Sequence, residues 1–267
     1  MKKLLLSSLA GLILTTGSAL AADLGMPVKA PYAPPPPAVS WTGCYVDGGV
    51  GYGMYNTDSY SETSPGLVPI GAQVTNGGRG WLGRLGGGCD YQFGLGGLGN
   101  FVVGAFADYD FMDLKGTFGD PSGPVTGNEK ERDAWYVGGR LGYLVTPSLL
   151  GYVDGGYTQT RFDAISFNTA LAIPVPTGLA LSAHTYNGWF IGGGTEYALN
   201  MSWIPIRGLF WRTEYRFAEY QTADVPIVVT ATGAPFGVAE HTSPYVKTVT
   251  SGLVWRFNFG GPIATRY

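Results

Sequence analysis

Apolar and polar positions alternate most regularly over Gly208–Tyr220, GLFWRTEYRFAEY. Leu209, Trp211, Thr213, Tyr215 and Phe217 fall on one face, and Arg212, Glu214 and Arg216 on the other. Successive side chains of a strand point to opposite sides of its sheet, so this period of two predicts a strand between two unlike environments. In a soluble sandwich or lipocalin-like barrel the apolar face would point inward. Here that face carries Trp, Tyr and Phe near its ends, as strands bordering a bilayer do. The charged face then needs a wet or self-paired interior. The pattern predicts one stave of a membrane barrel with its polar side turned in.

Similar alternation recurs from Trp41 onward. It predicts strands at Trp41–Met54, Arg79–Phe93, Phe101–Met112, Arg132–Thr146, Leu149–Phe162, Tyr186–Leu199, Gly208–Tyr220 and Pro244–Phe259. The first, third, fifth and seventh gaps are long and rich in Gly, Pro, Ser, Thr and Asn. The others are short: Gly94–Asn100, Pro147-Ser148 and Asn200–Arg207. This predicts an all-β fold, an eight-stranded antiparallel transmembrane β-barrel with long extracellular loops and short periplasmic turns. Both termini then fall on the periplasmic side. Two apolar runs in the long gaps, Leu171–Leu181 and Val225–Thr232, either meet partners or, the preferred reading, extend strands above the membrane.

Aromatic residues are expected to form two girdles. Trp211, Trp255, Phe257, Phe259, Tyr91, Phe93, Tyr143 and Tyr197 lie toward the inner rim. Trp81, Trp135, Trp189, Tyr109, Tyr157, Tyr215 and Phe217 lie toward the outer one. Parity assigns the interior a charge network of Asp47, Arg84, Asp90, Asp108, Asp110, Arg140, Asp154, Glu196, Arg212, Glu214, Arg216 and Arg256. Buried charges persist when paired and hydrogen-bonded. Hairpins symmetric about their short turns would set Arg84–Asp110, Arg140–Asp154 and Glu196–Arg212 directly across from each other, at contact spacing. The first strand is Gly-rich, and a bulge or phase slip is expected there.

Composition narrows the setting. Forty-three glycines, seventeen tyrosines and only 13% charged residues suit aromatic-rich β structure better than an average cytosolic enzyme. The formal charge of −3 offers no basic face for nucleic acid. Residues 1–21 read as a signal peptide: Lys2 and Lys3, an apolar run from Leu4 to Leu14, and Ala19-Leu20-Ala21 before a cut after Ala21. Residues 22–40, with Pro34–Pro37 contiguous, read as a Pro-rich periplasmic spacer in extended form. The barrel occupies 41–259, and 260–267 is a C-terminal periplasmic tail.

Candidate chemistry is sparse. Cys44 and Cys89 sit near the inner ends of neighbouring strands, facing outward, where they either form a disulfide or stay as two small apolar thiols. Gly94, Gly96 and Gly99 spell G-x-G-x-x-G but fill a turn between strands, which excludes a nucleotide site. His184 and His241 flank long loops, with Ser182, Ser243 and Glu240 nearby. No nucleophile-elbow or zinc-protease pattern accompanies them, so no enzyme activity, catalytic residue, cofactor or metal is expected, and both histidines read as solvated.

The chain resembles the small immunogenic outer-membrane β-barrel proteins of alphaproteobacteria, related in fold to the OmpA transmembrane domain. The resemblance rests on Ala22-Asp23-Leu24, PVKAPYAPPPP, WTGCYVDGGVGYG at Trp41–Gly53 and GCDYQ at Gly88–Gln92. It continues through RLGYLVTPSLLGYVDGGY at Arg140–Tyr157, EYRF at Glu214–Phe217 and LVWRFNFGGP at Leu253–Pro262. It implies an eight-stranded, porin-like or surface-antigenic barrel of the bacterial outer membrane, among lipids and lipopolysaccharide. It also implies that Leu253, Trp255, Phe257 and Phe259 are read by the barrel-assembly machinery, although chains of this kind commonly stop at that aromatic and this one continues as GGPIATRY. Some relatives are associated with haem or host contact, so a host or haem ligand at the loops is possible by resemblance. The expected function is a structural, surface-exposed protein with a side-chain-filled interior. The alternatives are a porin-like channel for small solutes and a loop-mediated adhesin or haem-binding protein.

Overall fold

A computed structural model describes residues 39–119, 123–199 and 206–257. The signal peptide, nearly all of the spacer, Phe259 and the C-terminal tail lie outside the described residues. Within them the chain is almost entirely strand: β1 (Gly43–Thr63), β2 (Pro69–Gly94), β3 (Asn100–Gly119), β4 (Val125–Thr146), β5 (Leu149–Phe162), β6 (Ile165–Thr169), β7 (Pro176–Leu181), β8 (His184–Ala198), β9 (Leu209–Tyr220), β10 (Ala223–Val229) and β11 (Pro235–Phe257). Among the described residues no helix is long and apolar enough to cross a membrane.

Antiparallel pairing runs β1-β2-β3-β4-β5-β8-β9-β11, and β11 pairs back onto β1, giving an eight-strand hydrogen-bonded ring. These strands coincide with the eight segments of strong alternation; β1, β2, β3, β4 and β11 run well beyond them, while β5, β8 and β9 keep nearly the expected bounds. The expected long loops are largely ladder: β1 and β2 stay paired to Glu62 and Pro69. Above β5, β8 and β9, the segments β6, β7 and β10 take over. They join β4 to β6, β6 to β7, β7 to β10 and β10 to β11. A second circuit thus closes above the first. The runs Leu171–Leu181 and Val225–Thr232 supply β7 and β10. Those two runs follow the preferred reading as strand above the membrane, whereas the rest of the long gaps, rich in Gly, Ser, Thr and Asn, was expected as loop because these residues favour turns. A sheet edge already held by a neighbour leaves unpaired N–H and C=O groups that a further strand satisfies, and that effect wins.

The first strand has no phase slip in the stretch thought weakest. β1 pairs with β11 from Cys44 to Thr63 without a break, and its one register shift against β2 lies between Ser59 and Ser61. Trp41, completely buried, packs inside the ring beside the short turns. Its indole N–H donates to the Pro147 carbonyl at 3.2 Å, and its ring lies 4.8 Å from Phe210. Cys44 and Cys89 are register partners joined by a disulfide. Leu95–Gly99 makes the tight β2–β3 turn, with Gly96 and Gly99 at positive φ of 58° and 94°.

The outer surface carries an exposed apolar belt that includes Val46, Val50, Leu85, Val103, Leu141, Val153, Ile191 and Leu253. Aromatic rings border it in cross-strand register: Phe101 opposite Tyr143 and Tyr197 opposite Trp211 at the short-turn end; Tyr52 opposite Trp81, Tyr109 opposite Trp135 and Tyr157 opposite Trp189 at the other.

Inside, register sets glycine between large polar side chains. Gly104 of β3 lies between Asp90 of β2 and Arg140 of β4. Gly192 of β8 lies between Asp154 and Arg216, and Gly194 between Tyr152 and Glu214. A Cβ on Gly104 would sit 2.0 Å from the Asp90 carboxylate, and one on Gly192 2.4 Å from that of Asp154. The missing side chain is the space that lets residues two strands apart meet. Gly104→Val should therefore separate Asp90 from Arg140 and cost about 3–5 kcal/mol, the usual price of breaking a buried pair. Urea unfolding of the refolded protein in detergent micelles measures this. Gly97→Val in the turn, where an added Cβ meets nothing within 4 Å, should shift stability by no more than about 0.5 kcal/mol.

Candidate functional site

The buried interior charges sort into two layers along the ring axis. Nearer the short turns, three guanidiniums converge on two carboxylates. Asp90 of β2 accepts from Arg140 of β4 and, at 2.6 Å, from Arg256 of β11. Glu196 of β8 accepts from Arg140 at 3.2 Å, Arg212 of β9 at 3.0 Å and Arg256 at 2.6 Å. Arg212 also reaches Asp47 of β1 at 3.2 Å. The next layer holds Arg84 and Arg216. Arg84 grips Asp110 through two parallel bonds of 2.6 and 2.8 Å and reaches Glu214 at 2.6 Å. Arg216 bonds Glu214 and Asp108, with Asp154 at 4.0 Å. Tyr152 ties the layers together: its hydroxyl donates to Glu214 at 2.7 Å, and the Arg140 guanidinium lies 5.2 Å from its ring centre. Aromatic rings fill the remaining space, Arg216 lying against Phe106, Tyr136 and Phe190.

All twelve residues assigned to the interior by parity lie in these layers. Of the three expected cross-strand pairs, Arg84–Asp110 and Glu196–Arg212 are both opposite and in contact. Arg140 is opposite Asp154 but does not pair with it. It reaches over Gly104 to Asp90 instead, while Asp154 turns over Gly192 toward Arg216. Reading neighbours only, without the glycine between, gave the wrong partner.

Beyond the outer aromatic ring the interior becomes acidic. Glu129 and Glu131 of β4 are buried there, four or more residues past Trp135. Glu131 accepts from Thr160 at 2.7 Å, and Glu129 faces the Tyr55 and Thr57 hydroxyls. Each has one carboxylate oxygen without a hydrogen-bond partner, and among the described residues no lysine or arginine pairs with either. Sequence parity hid them, because Glu131 shares the parity of outward-facing Trp135. A register shift between Glu131 and Asp133 reverses the faces of β4. The paired Glu129–Lys130–Glu131–Arg132 alternation was the only available signal. Ser61 donates to Glu240 at 2.6 Å in the same upper interior.

The histidines are not brought together: His184 is on β8 and His241 on β11, with β9 between them in the lower ring. The His184 ring stacks edge-on against Tyr186, and burial pushes its pKa down. His241 stacks on Tyr60 and holds Asp224 through Nδ1 at 2.6 Å.

Burial pushes Glu129 up to about 7 and Glu131 to about 8. The native state therefore keeps protons that the unfolded chain releases near pH 4.5. Stability should be greatest below that point and fall as pH rises through 7 and 8. Glu129→Gln and Glu131→Gln should each raise unfolding free energy by about 3–5 kcal/mol at pH 9 and change it little at pH 4.5, as read from urea midpoints at the two pH values.

With this geometry in hand, the family relationships are consistent. A model described as the outer membrane protein beta-barrel domain matches residues 10–257. The 31 kDa outer-membrane immunogenic proteins of Brucella melitensis and Brucella suis are each 30% identical over 210 residues, covering 76% of this chain and 83% of theirs. Similar solved structures include OprG of Pseudomonas aeruginosa (TM-score 0.46, 10% identity, 83% of this chain and all of that one) and Ail of Yersinia pestis (TM-score 0.33, 11% identity, 79% and 99%). The chain belongs to the outer membrane protein beta-barrel domain family, is homologous to the Brucella 31 kDa immunogenic proteins, and is a surface-exposed β-sheet protein of the bacterial outer membrane with charged residues buried inside it.

Proposed function

We propose that the eight-strand ring is a closed transmembrane barrel whose lumen is sealed by its own side chains, and that the protein serves as a structural surface element rather than a pore. The observation that carries this is the inner layer. Asp90 and Glu196, on well-separated strands, share Arg140 and Arg256 as common partners. An eight-stranded barrel has an interior just wide enough for side chains, and a guanidinium bound at both ends to carboxylates across that width leaves no continuous water path. The two-tier ladder then serves as a rigid pedestal that lifts the surface loops above lipopolysaccharide.

Around this core, the leader is removed after Ala21, residues 22–40 act as a periplasmic tether, and 260–267 form a short periplasmic tail. The barrel-assembly machinery reads Leu253, Trp255, Phe257 and Phe259. Outer-membrane lipids pack against the apolar belt. Host or haem contact belongs to the upper tier, where His184 and His241 lie on different strands.

Planar-bilayer recording of the purified, refolded protein tests the sealed lumen. Wild type should show no stable unit steps. Arg140→Ala combined with Arg256→Ala, which removes both cross-lumen guanidiniums, should produce leak events. Regular, ion-selective steps in the wild type would favour a porin-like channel. A stoichiometric Soret shift abolished by replacing His184 and His241 would favour the haem reading.

A further inference from the structure

On the outer flank of the upper tier, three metal-ligating side chains converge from three adjacent strands. His241 of β11 lies opposite Tyr60 of β1 and opposite Asp224 of β10. Glu62, two residues beyond Tyr60, shares its face. Ser61 and Glu240, of the other parity, bond to each other inside. One ligand atom from each of Glu62, Asp224 and His241 lies within 4.8 Å of the others.

Two further features separate this group from an ordinary acidic patch. Glu62 is only 2% exposed, yet its Oε1 has no hydrogen-bond partner. Among the described residues no lysine or arginine forms an ion pair with Glu62 or Asp224, and the two carboxyl groups adjoin each other and the His241 imidazole. The imidazole is also pre-positioned: it stacks on Tyr60, ring centres 4.7 Å apart and 21° from parallel, with Asp224 at 2.6 Å from Nδ1. A desolvated carboxylate beside another is costly unless a cation or proton sits with them.

We propose that Glu62, Asp224 and His241 bind a divalent transition-metal ion, with Zn²⁺ the best match. One imidazole and two carboxylates form a mixed N/O set of borderline softness, favouring Zn²⁺ over Ca²⁺ or Mg²⁺, which prefer all-oxygen cages. Three protein ligands leave the fourth position of a tetrahedral ion to water. Bonds of about 2.1 Å separate such ligands by about 3.4 Å, so an ion would open the 2.6 Å contact between His241 and Asp224 and draw in Glu62, whose ligand atom lies within 4.8 Å of theirs. Because the ligands come from β1, β10 and β11, the ion is a clasp fastening β10, and through it β7 and β6, to the long β1–β11 ladder. This site is independent of whether the lumen is sealed.

Untagged full-length protein, refolded in detergent and stripped with chelator, is titrated with ZnCl₂ by calorimetry and with Co²⁺ by visible absorption. The expected result is one equivalent of Zn²⁺ per chain, a Co²⁺ d–d band that Zn²⁺ abolishes, and slower protease cleavage within 163–183 and 221–234 when Zn²⁺ is present. Glu62→Gln and His241→Ala should each weaken binding at least tenfold, while His184→Ala should leave it unchanged. Heat-modifiable migration on gels reports folding of each variant; if Glu62→Gln does not fold, the partly exposed His241 decides. Absence of stoichiometric Zn²⁺ uptake by wild type, wild-type affinity in His241→Ala, or displacement of Zn²⁺ by equimolar Ca²⁺ would each overturn the proposal.

Discussion

The structure depends on keeping ionised groups satisfied inside an eight-strand ring whose outer face is apolar. Removing a guanidinium and a carboxylate from water costs several kcal/mol each, recovered only when geometry is good and the remaining donors and acceptors are bonded. An eight-strand ring offers little room in which to arrange this. The chain meets the constraint with arginines long enough to span strands and glycines placed where they must pass. Arg140 reaches Asp90 over Gly104, and Tyr152 reaches Glu214 over Gly194. High glycine content, which by itself would weaken strands, is here a condition of pairing.

The same constraint explains why every base in the two layers is arginine. A lysine ammonium acts as a compact point charge, whereas the planar guanidinium presents a fork of donors and a flat face. Arg84 uses the fork on Asp110 and still donates to Glu214. Arg256 bonds Glu196 and Asp90 while lying 4.9–5.1 Å from the ring centres of Trp41, Tyr45 and Phe210. Aromatic rings next to the cations take the place that water would otherwise fill.

Much of this was legible in the sequence because side-chain direction in a strand alternates strictly. Parity alone placed Arg212, Glu214 and Arg216 on one face and Trp211 and Tyr215 on the other, and it collected all twelve layer residues. It failed where the period is interrupted: a bulge at Arg132 carries Glu129 and Glu131 inside against their parity. Local reading also failed where partners depend on an unseen third strand, so Arg140 was given Asp154 rather than Asp90. The upper circuit was legible only in part: the apolar runs Leu171–Leu181 and Val225–Thr232 pointed to strand above the membrane, but not to its pairing. β6, β7 and β10 are short, and their pairing is imposed by the open edges of β4 and β11 rather than by their own alternation.

The interrupted alternation of β4 and the added strands share a location. Along the axis from the short turns outward, carboxylates balance guanidiniums in the first layer, outnumber them in the second, and stand without arginine or lysine at Glu129 and Glu131. A bilayer tolerates little uncompensated charge at its centre, which favours dense pairing of carboxylates with guanidiniums in the lower ring. Past the outer aromatic girdle that requirement relaxes: water is near, protons can be taken up, and cations can be captured from solution. The upper tier is therefore where acidic residues can accumulate without protein partners, where regular alternation can break, and where Glu62, Asp224 and His241 can gather. The lower ring is held by its own chain; the upper tier leaves part of its charge to be met from outside.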